Sequence, residues 1–156
     1  MKVLRIQLMP RKKNRVLVHL DGLQDLEDIE PLEIALDVAE RSGIHVGDSV
    51  TAKDLAQLQE DDTKWRTRQA ALHLLSYRPR AEQELRVRLR SKGFPHASVE
   101  WCLRHLEEQG LIDDHNFASA FVRSRIRRRP RGRFRLSQEL REKGVTAEVA
   151  EQAIDQ

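Results

Sequence analysis

The sequence points to a mainly α-helical chain: tandem three-helix, helix-turn-helix-like repeats preceded by a small N-terminal α+β domain with a β-hairpin. Three observations carry that expectation. First, residues 78–94 and 129–145 share one frame 51 positions apart, with Arg78-Pro79-Arg80 matched by Arg129-Pro130-Arg131, Leu85 by Leu136, Leu89-Arg90 by Leu140-Arg141 and Lys92-Gly93 by Lys143-Gly144. A fixed period of this length in a helical pattern belongs to stacked supersecondary units. Second, apolar residues recur at spacings of three and four from about Trp65 onward, one stripe per helix. Third, Leu4, Ile6 and Leu8, then Val16, Val18 and Leu20, alternate with mostly polar neighbours, as half-buried strands do. The expected organisation is a hairpin-bearing domain at 1–62, a first repeat at 63–112 and a second at 113–156.

Taken in order, the two alternating runs form the hairpin around the cationic loop of residues 10–15, whose charges read as a solvated tip, with contact to nucleic acid as the alternative. Pro31 suits the first turn of a helix through Leu32, Leu36 and Ala39, stopped at Gly43. Thr51 and Asp54 make a capping pair for a helix through Leu55 and Leu58, and the acidic cluster Glu60-Asp61-Asp62 reads as its solvated end or a linker. Ala71, Leu72, Leu74 and Leu75 then mark a helix broken at Arg78-Pro79-Arg80, because proline lacks a backbone donor and disfavours helix in the residue before it. Residues 81–92 follow with Leu85 and Leu89 inward and Gly93 as a left-handed stop, and Ser98 starts a third helix with Val99, Cys102, Leu103 and Leu106 on one stripe.

The second unit repeats the plan. Asp113 or Asp114 caps a helix with Phe117, Phe121, Val122 and Ile126 as its buried face. Pro130 breaks it, Leu136 and Leu140 face inward before Gly144, and Val149, Ala153 and Ile154 complete the last helix.

Composition narrows the function. No apolar run is long enough for a membrane span, the first residues lack a secretory pattern, and the single Cys102 can staple nothing within the chain, so a cytoplasmic protein is expected. Glycine-rich phosphate loops, paired-cysteine zinc patterns and His-Glu-x-x-His helices are missing from the sequence, and neither an enzyme nor a cofactor is expected. Asp113 and Asp114 beside Glu107 and Glu108 read as helix caps rather than a metal cluster. Cys102 and His105 lack a second ligand pair, and Trp101 reads as packing.

Charge is distributed unevenly. Residues 1–64 carry 9 Lys/Arg against 13 Asp/Glu, whereas residues 65–156 carry 19 against 12. Within the second repeat Arg123, Arg125, Arg127, Arg128, Arg129, Arg131, Arg133 and Arg135 fall in 13 residues without an acid. Such mutual repulsion is relieved by an anionic partner, and guanidinium groups pair with either carboxylate or phosphate. Arg86 and Arg90 of the first repeat extend the candidate surface. Phe134, inside the run, is placed in the core against Leu136 in preference to stacking on a base.

Ala71-Leu72-x-Leu74-Leu75, Glu82-x-Glu84-Leu85, Lys92-Gly93-Phe94, Gly110-Leu111-Ile112-Asp113-Asp114 with Phe117-Ala118, and Glu139-Leu140-x-x-Lys143-Gly144 together resemble the RecX family of bacterial recombinase regulators. The likeness spans about residues 68–155. It implies an all-helical repeat module that binds the RecA filament on DNA and suppresses its ATPase, strand-exchange and co-protease activities, with possible partners in single- or double-stranded DNA. It further implies a monomer without cofactor, metal or membrane contact. Well-known members carry a third repeat; two are legible here. The alternative is a DNA-reading helix-turn-helix protein, against which the third helices offer mainly Ser98, Glu100, Glu148 and Glu151, a poor set for a phosphate-lined groove.

Overall fold

The structure is a computed structural model that describes residues 1–22, 30–128 and 132–156. The expected break at Pro130 and the candidate residues Arg129 and Arg131 lie outside the described residues. Two compact units are present, Met1–Arg66 and Thr67–Gln156.

In the first unit β1 (Val3–Leu8), β2 (Arg15–Leu20) and β3 (Leu32–Ala35) form an antiparallel sheet in that order, followed by α1 (Leu36–Ser42). The hairpin is as expected, and Val16, Val18 and Leu20 are buried. On β1 the inward residue is Val3, while Leu4 is 57% and Leu8 65% exposed. A register shift between Val3 and Arg5 puts Val3 rather than Leu4 on the inward face, because one extra residue turns the next side chain over; beyond it Ile6 still packs against the core.

The helix expected from Pro31 begins later. Residues 32–35 are a strand, with Val16 opposite Ile34 and Val18 opposite Leu32. Proline at the entry of a strand removes no ladder bond, and Leu32-Glu33-Ile34 alternates as well as it fits a helix. α1 then ends at Gly43 in the left-handed region, as expected.

The capping pair is formed: Asp54 N donates to Thr51 Oγ1 at 3.1 Å and Thr51 N to Asp54 Oδ2 at 2.8 Å. The helix it starts, α2 (Ala52–Tyr77), runs unbroken for 26 residues and passes through the division between the units. Glu60-Asp61-Asp62 is therefore mid-helix, not a linker. Asp62 is buried, accepting from Arg15 Nη1 at 2.7 Å, Arg15 Nη2 at 3.0 Å and the Ala35 amide at 2.8 Å. One carboxylate thus holds the hairpin, the entry to α1 and α2 together. Burial alone would lower the Arg15 pKa; Asp62 and then Glu33 outweigh it and raise it.

The second unit is helical: the end of α2, then α3 (Glu82–Ser91), α4 (His96–Glu108), α5 (Asp114–Arg128), α6 (Arg133–Glu142) and α7 (Ala147–Asp155). Two cores follow the 51-residue frame. Ala71, Leu85, Leu89, Val99 and Cys102 are buried in one; Val122, Leu136, Leu140, Ala150 and Ala153 stand at the matching positions of the other. α4 starts at His96, so Ser98 is inside the helix and buried rather than its cap. Ile126, expected in the core, is 52% exposed because the inward stripe of α5 runs through Ala118 and Val122 instead.

The two repeats interlock. Ala81, at the entry to α3, belongs to the second core, and the Glu82 amide donates to Asp114 Oδ1 at 2.9 Å, so a carboxylate from α5 caps α3. Gly93 and Gly144 end α3 and α6 at φ of +93° and +88°. Phe94 N and Val145 N then reach back to Leu89 O and Leu140 O, the return bond of a glycine-terminated helix.

Candidate partner-binding groove

The break after α2, the α4–α5 connector and one face of α5 border a groove of about 780 Å³ in the second unit. Among the described residues six cations line it, Arg78, Arg80, Arg123, Arg125, Arg128 and Lys143, against one carboxylate, Asp113. Asp113 is engaged, accepting from Asn116 N at 3.1 Å as the cap of α5. Phe117 and Phe121, four residues apart on α5 with ring centroids 6.3 Å apart, give the groove an apolar wall. The Arg125 guanidinium carbon lies 4.9 Å from the Phe121 ring centroid, a cation–π contact that orients it.

On the first-repeat side the cations are held by carboxylate and carbonyl. Arg80 is buried, donating from Nε to Leu74 O at 3.0 Å, near the C-terminus of α2, and from Nη1 to Glu84 Oε1 at 3.0 Å. Arg78 also pairs with Glu84, through Nη1 at 3.2 Å and through Nη2. Burial alone would raise the Glu84 carboxyl; hydrogen bonds and charge from Arg78 and Arg80 outweigh it and hold it below the ordinary carboxylate range.

The candidate arginines divide into three groups. Arg125 lies 3.6 Å and Arg135 3.4 Å from Glu139, and Arg133 pairs with Asp155, so the run has carboxylates beside it that no acid within residues 123–135 announced. Arg86 ties α3 to α4, donating to Glu100 at 2.7 and 3.1 Å and to Glu82 at 3.1 Å. The hydrogen bond to Glu100 is the main reason its pKa is raised. Arg90, Arg123, Arg127 and Arg128 are exposed and make no ion pair among the described residues.

The Glu84 and Glu139 pairings expose a variation inside the repeat. In α3 the order along the helix is Glu84 then Arg88, in α6 it is Arg135 then Glu139, four residues apart in both cases. The carboxylate has moved one turn while its role in collecting arginines persists. Sequence comparison of the repeats aligned these positions but showed only mismatches there. The groove contribution of Arg78 and Lys143 was likewise not anticipated, although Phe117, Phe121 and Arg125 at intervals of four signalled a shared face.

Elsewhere, Trp101 packs beside the first core and meets the His105 ring, tilted by 31° at 4.2 Å between centroids, in line with a packing role. Cys102 is buried, and burial pushes its thiol up to about 11. Among the described residues no cluster of three His, Cys, Asp or Glu side chains is placed to hold a metal. Among the described residues no helix is long and apolar enough to cross a membrane. Phe134 contradicts the core expectation: it is 82% exposed, since Leu136 and Leu140 already take the inward face of α6.

Comparison with known proteins supplies the context. Residues 68–106 match the family described as RecX, first three-helix domain, and residues 113–154 that described as RecX, second three-helix domain. A regulatory protein RecX of Halalkalibacterium halodurans is 32% identical over 154 residues, covering 97% of this chain and 56% of that protein. One from Prosthecochloris aestuarii is 37% identical over 97 residues, covering 62% of this chain and 64% of that protein. The chain thus spans less than two thirds of the length of either relative. A crystal structure of a regulatory protein RecX superposes with a TM-score of 0.80 at 27% identity, covering 99% of this chain and 72% of that one.

Proposed function

This chain belongs to the RecX family of regulatory proteins, and on that basis we propose that it binds the RecA recombinase on its DNA filament and restrains ATPase, strand exchange and co-protease action. The supporting observation is the groove in which Arg123 and Arg128 stand without an ion pair among the described residues, beside Arg78, Arg80 and Arg125 that share Glu84 and Glu139, and which Arg127 at the end of α5 continues. Arginines without internal partners repel one another at little benefit to the fold, and filament carboxylates together with DNA phosphates relieve that repulsion. Recognition by these side chains is a binding function, carried out in the cytoplasm by a monomer without a cofactor. Direct reading of duplex DNA by the third helices fits less well, because Ser98 is buried and Glu100 is bound to Arg86.

The test is the triple variant Arg123→Glu, Arg127→Glu, Arg128→Glu, assayed for inhibition of a recombinase's DNA-dependent ATPase. None of the three has a carboxylate partner among the described residues, so the loss of stability should be confined to the unfavourable carboxylates in the last turn of α5, and the variant should stay folded. Inhibition should weaken at least ten-fold and the salt dependence of what remains should flatten. Unchanged inhibition by the folded variant would remove this face from the proposal.

A further inference from the structure

Phe134 has an exposed side chain where the first repeat has Gln83, and nothing in the second core needs it. It opens a cleft of about 460 Å³ with Ser137, Gln138, Arg141 and Glu142. These positions follow the spacing i, i+3, i+4, i+7, i+8, so they form one stripe of α6, opposite the stripe of Leu136 and Leu140 that faces the core. In the first repeat the residue matching Ser137 is Arg86, whose guanidinium lies along α3 and ties it to Glu100 of α4. A serine cannot make that tie. The shorter side chain leaves the stripe open in the second repeat, and an aromatic ring stands at its head.

We propose that this α6 stripe is a nucleobase site: a base of single-stranded nucleic acid stacks on Phe134 while Gln138 and Arg141 meet its hydrogen-bonding edge. The chemistry favours a base over other flat or apolar groups. Gln138 presents both a donor and an acceptor and Arg141 a planar fork, the combination a base edge can satisfy. The ring sits inside the arginine stretch, between Arg133 and Arg135, whose side chains remain 59% and 69% exposed although they pair with Asp155 and Glu139, and an aromatic among exposed cations is the pattern of sequence-tolerant single-strand binding. In a duplex the base faces are already stacked, so the ligand is unpaired. The volume accommodates a single base. This site goes beyond the docking proposed above and is tested without a recombinase, so either can fail while the other stands.

The experiment measures anisotropy of a fluorescein-labelled thymidine oligomer of about 20 nucleotides against an abasic oligomer of equal length, which keeps the phosphates and lacks the bases. The full chain should prefer the thymidine oligomer about ten-fold, Phe134→Ala should lose that preference and bind both alike, and Phe134→Trp should retain it. All three should melt together, since the side chain is solvent-exposed. Equal binding of both oligomers by the wild-type chain, or an unchanged preference in Phe134→Ala, overturns the proposal. So does a Phe134→Ala variant that keeps full affinity for the oligomer and loses only recombinase inhibition, which would make the stripe a protein contact.

Discussion

Gly93 and Gly144 hold matching places in the two repeats, yet replacing each by alanine should have different consequences. Both have φ near +90°, so either alanine adopts left-handed backbone at a cost of about 1–2 kcal/mol. At Gly93 a Cβ would meet nothing within 4 Å, and the cost stops there. At Gly144 it would lie 2.9 Å from Gln83 Cγ, closer still to Gln83 Cβ, and 3.5 Å from Gln83 Cα. A rotamer change can move Cγ away but not Cβ, so α3 and the end of α6 must separate, adding about 1–3 kcal/mol of overpacking. Melting followed by far-ultraviolet circular dichroism should fall by about 5 °C for Gly93→Ala and roughly twice that for Gly144→Ala. Because Gly144 follows Lys143, which lines the groove together with Arg78, Gly144→Ala should on the proposed function also inhibit a recombinase less well than Gly93→Ala at a temperature where both are folded. Equal losses of stability would refute the view that the repeats are locked together at this glycine.

Asp62→Ala should destabilise the first unit by about 3 kcal/mol, since it leaves Arg15, whose side chain is 13% exposed, and the Ala35 amide without their acceptor; chemical denaturation measures it. Glu84→Gln should cost about 1–3 kcal/mol at neutral pH, read from the same denaturation curves. The Glu84 carboxyl is held below its ordinary value of 4.5, so its contribution is present above that pH and is lost as pH falls through the lowered folded value. Wild type and variant should therefore converge in stability under acid, and a constant gap down to strongly acidic pH would contradict the assignment. Cys102, with its thiol pushed up to about 11 by burial, should resist a thiol reagent at pH 8 in the native chain and react at once when unfolded.

Local pattern alone determined the repeat and its core. Leu85, Leu89, Leu136 and Leu140 face inward because apolar residues at every third or fourth position share one face of a helix, and Gly93 and Gly144 end helices because a residue without Cβ adopts the left-handed φ most easily. The hairpin and the Thr51–Asp54 cap were legible on the same terms. Tertiary contact decided the rest. Leu32-Glu33-Ile34 became a strand because β2 offered it a hydrogen-bonding edge, and Asp62 became an interior residue because Arg15 and Ala35, 47 and 27 positions away, met it there. The arginine run looked unpaired until Glu139 and Asp155 came alongside, and Phe134 looked like core until α6 turned it outward. Periodicity reports which face of an element is apolar; which partner a charge meets depends on distances that only the packed chain sets.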